Sequence, residues 1–251
     1  QCITAQKFID LWLGRCHCSF HRHQNDRLAS RFIHLVIKNR NHENMLKKIL
    51  PIFSYFFHPL FIPLLAIVFY FLVSTHSLTT TEQLLVYTQG IIFTIILPVL
   101  CFLFLKSINA IDSVMLPILS QRKIPLLIQA ILFLVLLTQG NMFIYIPGLY
   151  YFFLGCFIST LAALLLVLLE VKASLHMVGI SSLVAFCIAM SVYTQRNLLV
   201  EISILFLLNG FVGSSRLYMK AHTPKELIVG FLVGFLPQLL LVPFIFLQNI
   251  K

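Results

Sequence analysis

Long apolar runs separated by short polar segments make up most of the chain after about residue 50. Seven runs can be distinguished: Pro51–Val73, Leu84–Leu105, Ile124–Thr138, Met142–Leu169, Met177–Tyr193, Leu198–Val212 and Leu227–Leu247. A straight helix needs about 20 residues to cross a bilayer, so the third run is short and the sixth is marginal. In lipid, a crossing segment has to satisfy its own backbone polar groups, so each crossing is predicted to be an α-helix.

The polar tripeptide Gln139-Gly140-Asn141 between the third and fourth runs decides how many crossings are counted. It is either a tight turn between two crossings or part of a kinked or re-entrant hairpin. The pattern therefore predicts an all-α fold, a polytopic membrane helical bundle of six to seven transmembrane helices. No internal repeat interrupts the series, and a single transmembrane domain is predicted for residues 45–251.

Composition supports the membrane assignment and excludes a water-facing globule. Apolar residues make up 59% of the chain and charged residues only 10%, whereas a soluble domain carries roughly 25% charged residues. There is too little polar surface to cover a protein of this size in water, so the chain is predicted to be embedded in a lipid bilayer.

The first 44 residues differ from the rest, because they hold five of the nine histidines and no apolar run long enough to cross a membrane. They are predicted to be an unstructured upstream extension, translated from a misplaced start before Met45; a basic targeting presequence is the alternative. Four metal-ligand residue types lie close together here, at Cys16, Cys18, His21 and His23. Their spacing is not a usual zinc-finger pattern and no second cluster follows, so no metal site is predicted.

Basic residues are concentrated at one end of the predicted spans. If all seven runs cross, one face holds Lys47, Lys48, Lys106, Arg122, Lys123, Lys172, Arg216, Lys220 and Lys225, and the other holds only Arg196 and Lys251. The positive-inside rule would make the first face cytoplasmic, but that argument is weakened if some of these cations serve chemistry, so the side of the membrane is left open. The basic pair just before the first span is typical of a bacterial protein, which favours the bacterial inner membrane.

Three polar clusters, at residues 120–125, 172–176 and 215–226, lie on that same face, each beside a predicted helix end. The chain between successive clusters is an out-and-back pair of helices, so packing in a bundle is expected to bring the clusters together. Ser174 is predicted to cap one helix and to place His176 in its first turn. Thr223, Pro224 and Glu226 form a capping box that starts another helix just after His222.

Two helix N-termini surrounded by Arg and Lys favour an anion, because free N–H groups and the helix dipole both attract negative charge. The forked donors of Arg216 match the oxygens of a phosphate group. The clusters therefore predict a phosphate site at this face.

The third cluster, Ser-Arg-x5-His-x3-Glu from Ser215 to Glu226, resembles a signature of the type 2 phosphatidic acid phosphatase (PAP2) and vanadium haloperoxidase superfamily, in which Asp replaces the Glu. Ala173-Ser174-Leu175-His176 is similar to the family's Pro-Ser-Gly-His, without its Pro and Gly. Of Lys-x6-Arg-Pro, only Arg122-Lys123-x-Pro125 is similar, and the Lys is absent. The PAP2-like core covers about residues 122–247.

This resemblance implies a lipid or isoprenoid phosphatase with a phosphohistidine intermediate. It implies that His222 is the nucleophile, that Glu226 orients it, and that His176 protonates the leaving oxygen. Phosphate-binding roles are implied for Arg216, Ser174, Arg122 and Lys123. No cofactor or metal is implied.

The sequence leaves a second class of function open, because the family motifs are incomplete. The alternative is a catalytically inactive PAP2-like membrane protein that binds phospholipid or a membrane partner. A small-solute transporter ranks lower, since the spans carry few polar groups. The expected ligand is a membrane lipid or lipid phosphate; nucleic acid is not expected, and a homodimer is left open. His58 is interpreted as an interfacial residue, and Gly230-x3-Gly234 as a close helix contact.

Overall fold

The structure, a computed structural model of the chain, describes residues 50–74, 78–111, 119–139 and 146–248. The predicted extension at 1–44, with its cysteines and histidines, lies outside these ranges. Within them the chain is helical and contains no strand. The helices are α1 (Ile62–Val73), α2 (Thr80–Ser107), α3 (Lys123–Gln139), α4 (Pro147–Leu168), α5 (Leu175–Thr194), α6 (Leu199–Tyr218) and α7 (Pro224–Gln248).

Six of these helices, α2 to α7, are long and apolar enough to cross a membrane when α3 is counted with the 3-10 turn Ser120–Arg122 before it. The prediction of a multi-pass membrane helical bundle is confirmed. The third apolar run, which the sequence left as a crossing or a hairpin, forms a helix of crossing length. The packed core centres on α5, which has 11 of its 20 residues buried inside the protein.

The first apolar run, Pro51–Val73, does not form the single crossing that the sequence predicted. A helical segment at 50–56 ends, the chain turns through 57–61, and α1 begins at Ile62 with a length of 12 residues. His58 precedes Pro59, and a residue before proline is driven out of the helical region by steric clash. Pro63 then suits the first turn of α1, where its missing N–H needs no partner.

A π-turn at Ile92–Ile96 interrupts α2 just before Pro98. Proline has no N–H to donate to the carbonyl four residues earlier and its ring clashes there, so the helix widens locally. Thr94, inside this turn, donates its hydroxyl to the carbonyl of Gly90 at 2.8 Å. The turn matters for the site because Thr94 lies on the wall of the central cavity.

Helices α5 and α7 approach each other closely along the stripe Gly230-x3-Gly234, which confirms the predicted contact. A Cβ atom at Gly230 would lie 2.6 Å from the carbonyl oxygen of Ser174, and one at Gly234 would overlap the carbonyl oxygen of Val178. Ser182 also donates its hydroxyl to the carbonyl of Gly234 at 3.1 Å. Only small residues permit this approach of two backbones.

Replacing Gly234 with alanine is expected to destabilise the protein by about 1–3 kcal/mol, because the new methyl group has to displace backbone on α5. Gly210→Ala on α6 is the matched control, since a Cβ there meets nothing within 4 Å. The control is expected to be neutral or slightly stabilising, because alanine favours a helix. Thermal unfolding of the two purified variants in detergent measures the difference; equal midpoints would contradict the close contact.

Candidate functional site

The three polar clusters meet at one end of the bundle, as predicted. Arg122 donates from Nη1 to the carbonyl of Ala173 at 3.2 Å, which joins the first cluster to the second. Lys172 donates from Nζ to the carbonyl of Ala221 at 2.9 Å, which joins the second to the third. The backbone N–H of Ser174 also donates to the carbonyl of Glu226 at 3.2 Å.

Two sharp helix ends give the clusters their positions. Glu170 and Lys220 have φ angles of 62° and 52°, in the left-handed region. The next residue in each case donates its N–H back across the helix end, from Val171 to Leu166 at 2.8 Å and from Ala221 to Arg216 at 3.1 Å. This arrangement is the Schellman motif. It reverses the chain within a few residues and places Lys172 and His222 shortly after their helices end.

His222 and Glu226 form a directly bonded pair. Nδ1 of His222 lies 2.6 Å from Oε2 of Glu226, and Nζ of Lys172 lies 3.5 Å from the same oxygen. The backbone N–H of Glu226 donates to the hydroxyl of Thr223 at 3.4 Å, so the predicted cap at the start of α7 is present. That cap holds the carboxylate one helical turn from the imidazole.

The surroundings of His222 keep its ring neutral. Burial lowers the pKa of His222 to about 4, and the positive charges of Lys172, Arg216 and Arg122 act in the same direction, whereas the bond to Glu226 opposes them. An ionised carboxylate only accepts hydrogen bonds, so Nδ1 of His222 carries the proton. Nε2 of His222 is therefore left with its lone pair, which is the form a nucleophile needs.

Any activity that uses neutral His222 is expected to fall as the pH drops through about 4, where this ring becomes protonated. Lys172→Met removes a charge that lowers the pKa of His222, so the acid limb of kcat/KM should move to higher pH. Glu226→Gln removes the group that raises this pKa, so the limb should move to lower pH. Profiles of kcat/KM between about pH 3.5 and 8, an interval that includes the ordinary histidine pKa, check both signs. Movement of both variants in the same direction would contradict the arrangement.

Two buried arginines make the site strongly cationic. Arg122 and Arg216 are only 6% and 8% exposed, and Nε of Arg216 has no hydrogen-bond partner within the described ranges. Nη1 of Arg216 lies 3.9 Å from the sulfur of Met219, a weak acceptor. Buried cations usually have paired anions. The carboxylate of this site, Glu226, is bonded to His222 and Lys172. The unpaired donor of Arg216 suits an anionic ligand.

These groups surround a cavity of about 190 Å³. Its polar wall consists of His58, Arg122, His176, Arg216 and His222. The rest of the wall comes from the turn at 57–61 and from α1 to α5, and it is mainly apolar. A cationic end joined to a mainly apolar interior suits a ligand with an anionic head and an uncharged body.

The break in the first apolar run supplies two groups that the sequence did not assign to the site. The ring of His176 approaches the carbonyl of Ser54, with 3.1 Å between Nε2 and the oxygen. A carbonyl only accepts, so Nε2 of His176 carries a proton and Nδ1 is the nitrogen left for a ligand. The ring of His58 packs edge-on against that of His176, with centroids 5.2 Å apart. The dipeptide His58-Pro59 was the signal in the sequence from which this break could have been predicted, because a residue before proline tends to end a helix.

The other predicted site residues are placed differently. Lys123 is exposed and is not on the cavity wall. Arg122 ends a 3-10 turn and Lys123 begins α3, and their side chains point in different directions, so that only Arg122 borders the cavity. Ser174 stands at the N-cap of α5 as predicted, but its side chain makes no capping bond. Its hydroxyl is fully buried, without a partner in the described residues, and is not on the cavity wall.

Comparisons of this chain with protein-family models, with curated proteins and with solved structures found no match.

Proposed function

We propose that this chain is a membrane-embedded phosphatase for lipid or isoprenoid phosphates that works through a phosphohistidine intermediate. The observation that carries the proposal is a buried, neutral His222, oriented by Glu226, at a cavity that it shares with two buried arginines. Nucleophile, orienting carboxylate and cations for the phosphate oxygens are the parts that covalent phosphoryl transfer needs.

In the proposed reaction, Nε2 of His222 attacks phosphorus and the bond from phosphorus to the leaving oxygen breaks. Arg216 and Arg122 hold the other phosphate oxygens as their charge develops. Nδ1 of His176 takes up the proton of the monoanionic phosphate ester and passes it to the leaving oxygen, while Nε2 stays bonded to the carbonyl of Ser54. Water then attacks the phosphohistidine and the bond from phosphorus to Nε2 of His222 breaks. Nδ1 of His176 takes a proton from that water and returns it to the inorganic phosphate, which leaves.

Phosphate release by the purified protein in detergent tests the proposal. The substrates are phosphatidate, phosphatidylglycerophosphate and undecaprenyl diphosphate. Turnover of at least one, inhibited by orthovanadate, is expected, because vanadate can adopt the trigonal bipyramidal geometry of phosphorus under attack. Activity that requires an added divalent metal would contradict the proposed mechanism.

The second candidate is an inactive relative that binds phospholipid or a membrane partner. It is favoured by Leu175, which lines the cavity at the position where the similar family motif has glycine. A leucine side chain takes space that a glycine would leave for the phosphate. Saturable binding of phosphatidate without any phosphate release would favour this function over the first.

We also propose the bacterial inner membrane as the location. The clustered basic residues favour a site that faces the cytoplasm.

A further inference from the structure

Gln129 is an uncharged polar residue in the middle of the apolar helix α3. It lies seven residues beyond Arg122, about 10 Å along the helix axis, and its side chain lines the cavity. Within the described ranges, no protein group forms a hydrogen bond with that side chain. Polar groups at membrane depth are costly and usually face a partner or a functional cavity, so Gln129 points to a ligand.

Ser159 on α4 lies at the same depth. Leu126 of α3 belongs to one packed cluster with Ala163 of α4, and Phe133 of α3 lies 6.1 Å from Phe153 of α4 between ring centroids. This antiparallel register places Gln129 level with Ser159. Ser159 also lines the cavity, is 1% exposed, and has a hydroxyl without a partner in the described part of the chain.

Three other hydroxyl residues on the cavity wall are already satisfied by the backbone. Thr94 donates to Gly90 at 2.8 Å, Thr160 to Cys156 at 2.7 Å, and Ser182 to Val178 at 2.8 Å. Unlike these three residues, Gln129 and Ser159 keep hydrogen-bond donors that no described protein group uses. Both lie deeper in the bundle than the two arginines. A buried donor that stays unpaired is costly, and a ligand that supplies an acceptor removes that cost.

We propose that Gln129 and Ser159 form a subsite for the ester carbonyl oxygens of an acylglycerol phosphate, whose phosphate lies at Arg122 and Arg216. This inference rests on the proposed function and names its substrate class. The first polar atoms beyond the phosphate of a diacylglycerol phosphate are its ester oxygens, whereas a prenyl phosphate has none there. A site with polar groups built for an acceptor discriminates strongly against a ligand that lacks it. The subsite therefore selects acylglycerol phosphates over prenyl phosphates.

The test compares kcat/KM for dioctanoylglycerol phosphate, its dioctyl ether analogue without carbonyls, and farnesyl phosphate. The wild-type protein is expected to prefer the diester over the other two by about tenfold or more. Gln129→Leu and Ser159→Ala should each lower kcat/KM for the diester by roughly 3–10-fold. Neither should lower it for farnesyl phosphate, because that ligand uses neither donor.

Gln89→Leu is the matched control, because Gln89 also lies within a membrane-length helix but is not on the cavity wall. Its diester preference should equal that of the wild-type protein. The same three ligands are measured as dissociation constants on His222→Ala protein, which makes the test independent of turnover. An absence of turnover would overturn the proposed function, whereas equal binding of the three ligands would overturn the subsite. If water alone fills this part of the cavity, Gln129→Leu and Ser159→Ala should both keep the wild-type preference for the diester. That result would also overturn the subsite.

Discussion

Replacing His222 with alanine is expected to abolish phosphate release, with a loss of at least roughly a thousandfold, because the variant lacks the group proposed to attack phosphorus. The lost side chain is the one whose Nδ1 is bonded to Glu226 and whose ring borders the cavity. Acid-sensitive labelling of the protein by radioactive substrate measures the intermediate directly. The wild-type protein should carry the label, and His222→Ala should not.

Glu226→Gln is the graded control for this result. The amide oxygen can still accept from Nδ1 of His222, but it no longer offers a negative charge to the developing cation. Its rate is therefore expected to fall between those of the wild-type protein and His222→Ala. A phosphoenzyme that still forms in His222→Ala would show that another residue is the nucleophile, and the proposed mechanism would be wrong.

Replacing His176 with alanine is expected to slow the hydrolysis of lipid phosphates by roughly 10²–10⁴-fold, which is the usual contribution of a general acid. An alkoxide leaving group needs a proton as its bond breaks, whereas a nitrophenolate does not. The same variant should therefore lose much less activity on an aryl phosphate such as nitrophenyl phosphate.

The ratio between the two substrate types is the internal control for His176, because a misfolded protein would lose both activities together. Initial rates on both substrates, measured on one preparation, provide this ratio. Equal losses on the lipid and on the aryl phosphate would contradict a proton-donating role for this residue.

The features of the site that could be predicted from the sequence are those with local signals. Thr223 and Pro224 start a helix by their own chemistry, and this start holds Glu226 one turn from His222. The meeting of Arg122, Lys172 and Ala221 followed from the alternation of spans, which returns each cluster to the same end of the bundle. The second to seventh apolar runs likewise predicted the six helices that are long enough to cross a membrane.

The missed features depend on tertiary packing or on a single residue. His58 reaches His176 because Pro59 ends a helix there, and an apolar run that long suggested a continuous span instead. Gln129 and Ser159 are isolated polar residues without a motif, and the register of α3 against α4 places them level. Lys123 was predicted to bind phosphate together with Arg122 because the two are adjacent in the sequence. Adjacent side chains of a helix point in different directions, and that of Lys123 is exposed.

The excess of buried positive charge has a consequence for the stability of the protein in solution. Arg122 and Arg216 lie in a site whose bonded carboxylate, Glu226, is already engaged by His222 and Lys172. An anion that binds only the folded site adds its binding free energy to that of folding, by about 2.7 kcal/mol at a hundredfold excess over its Kd. The choice of buffer anion should therefore change the free energy of unfolding. Phosphate or sulfate would raise it by binding the folded site, and in chloride alone the protein would be less stable during extraction from the membrane.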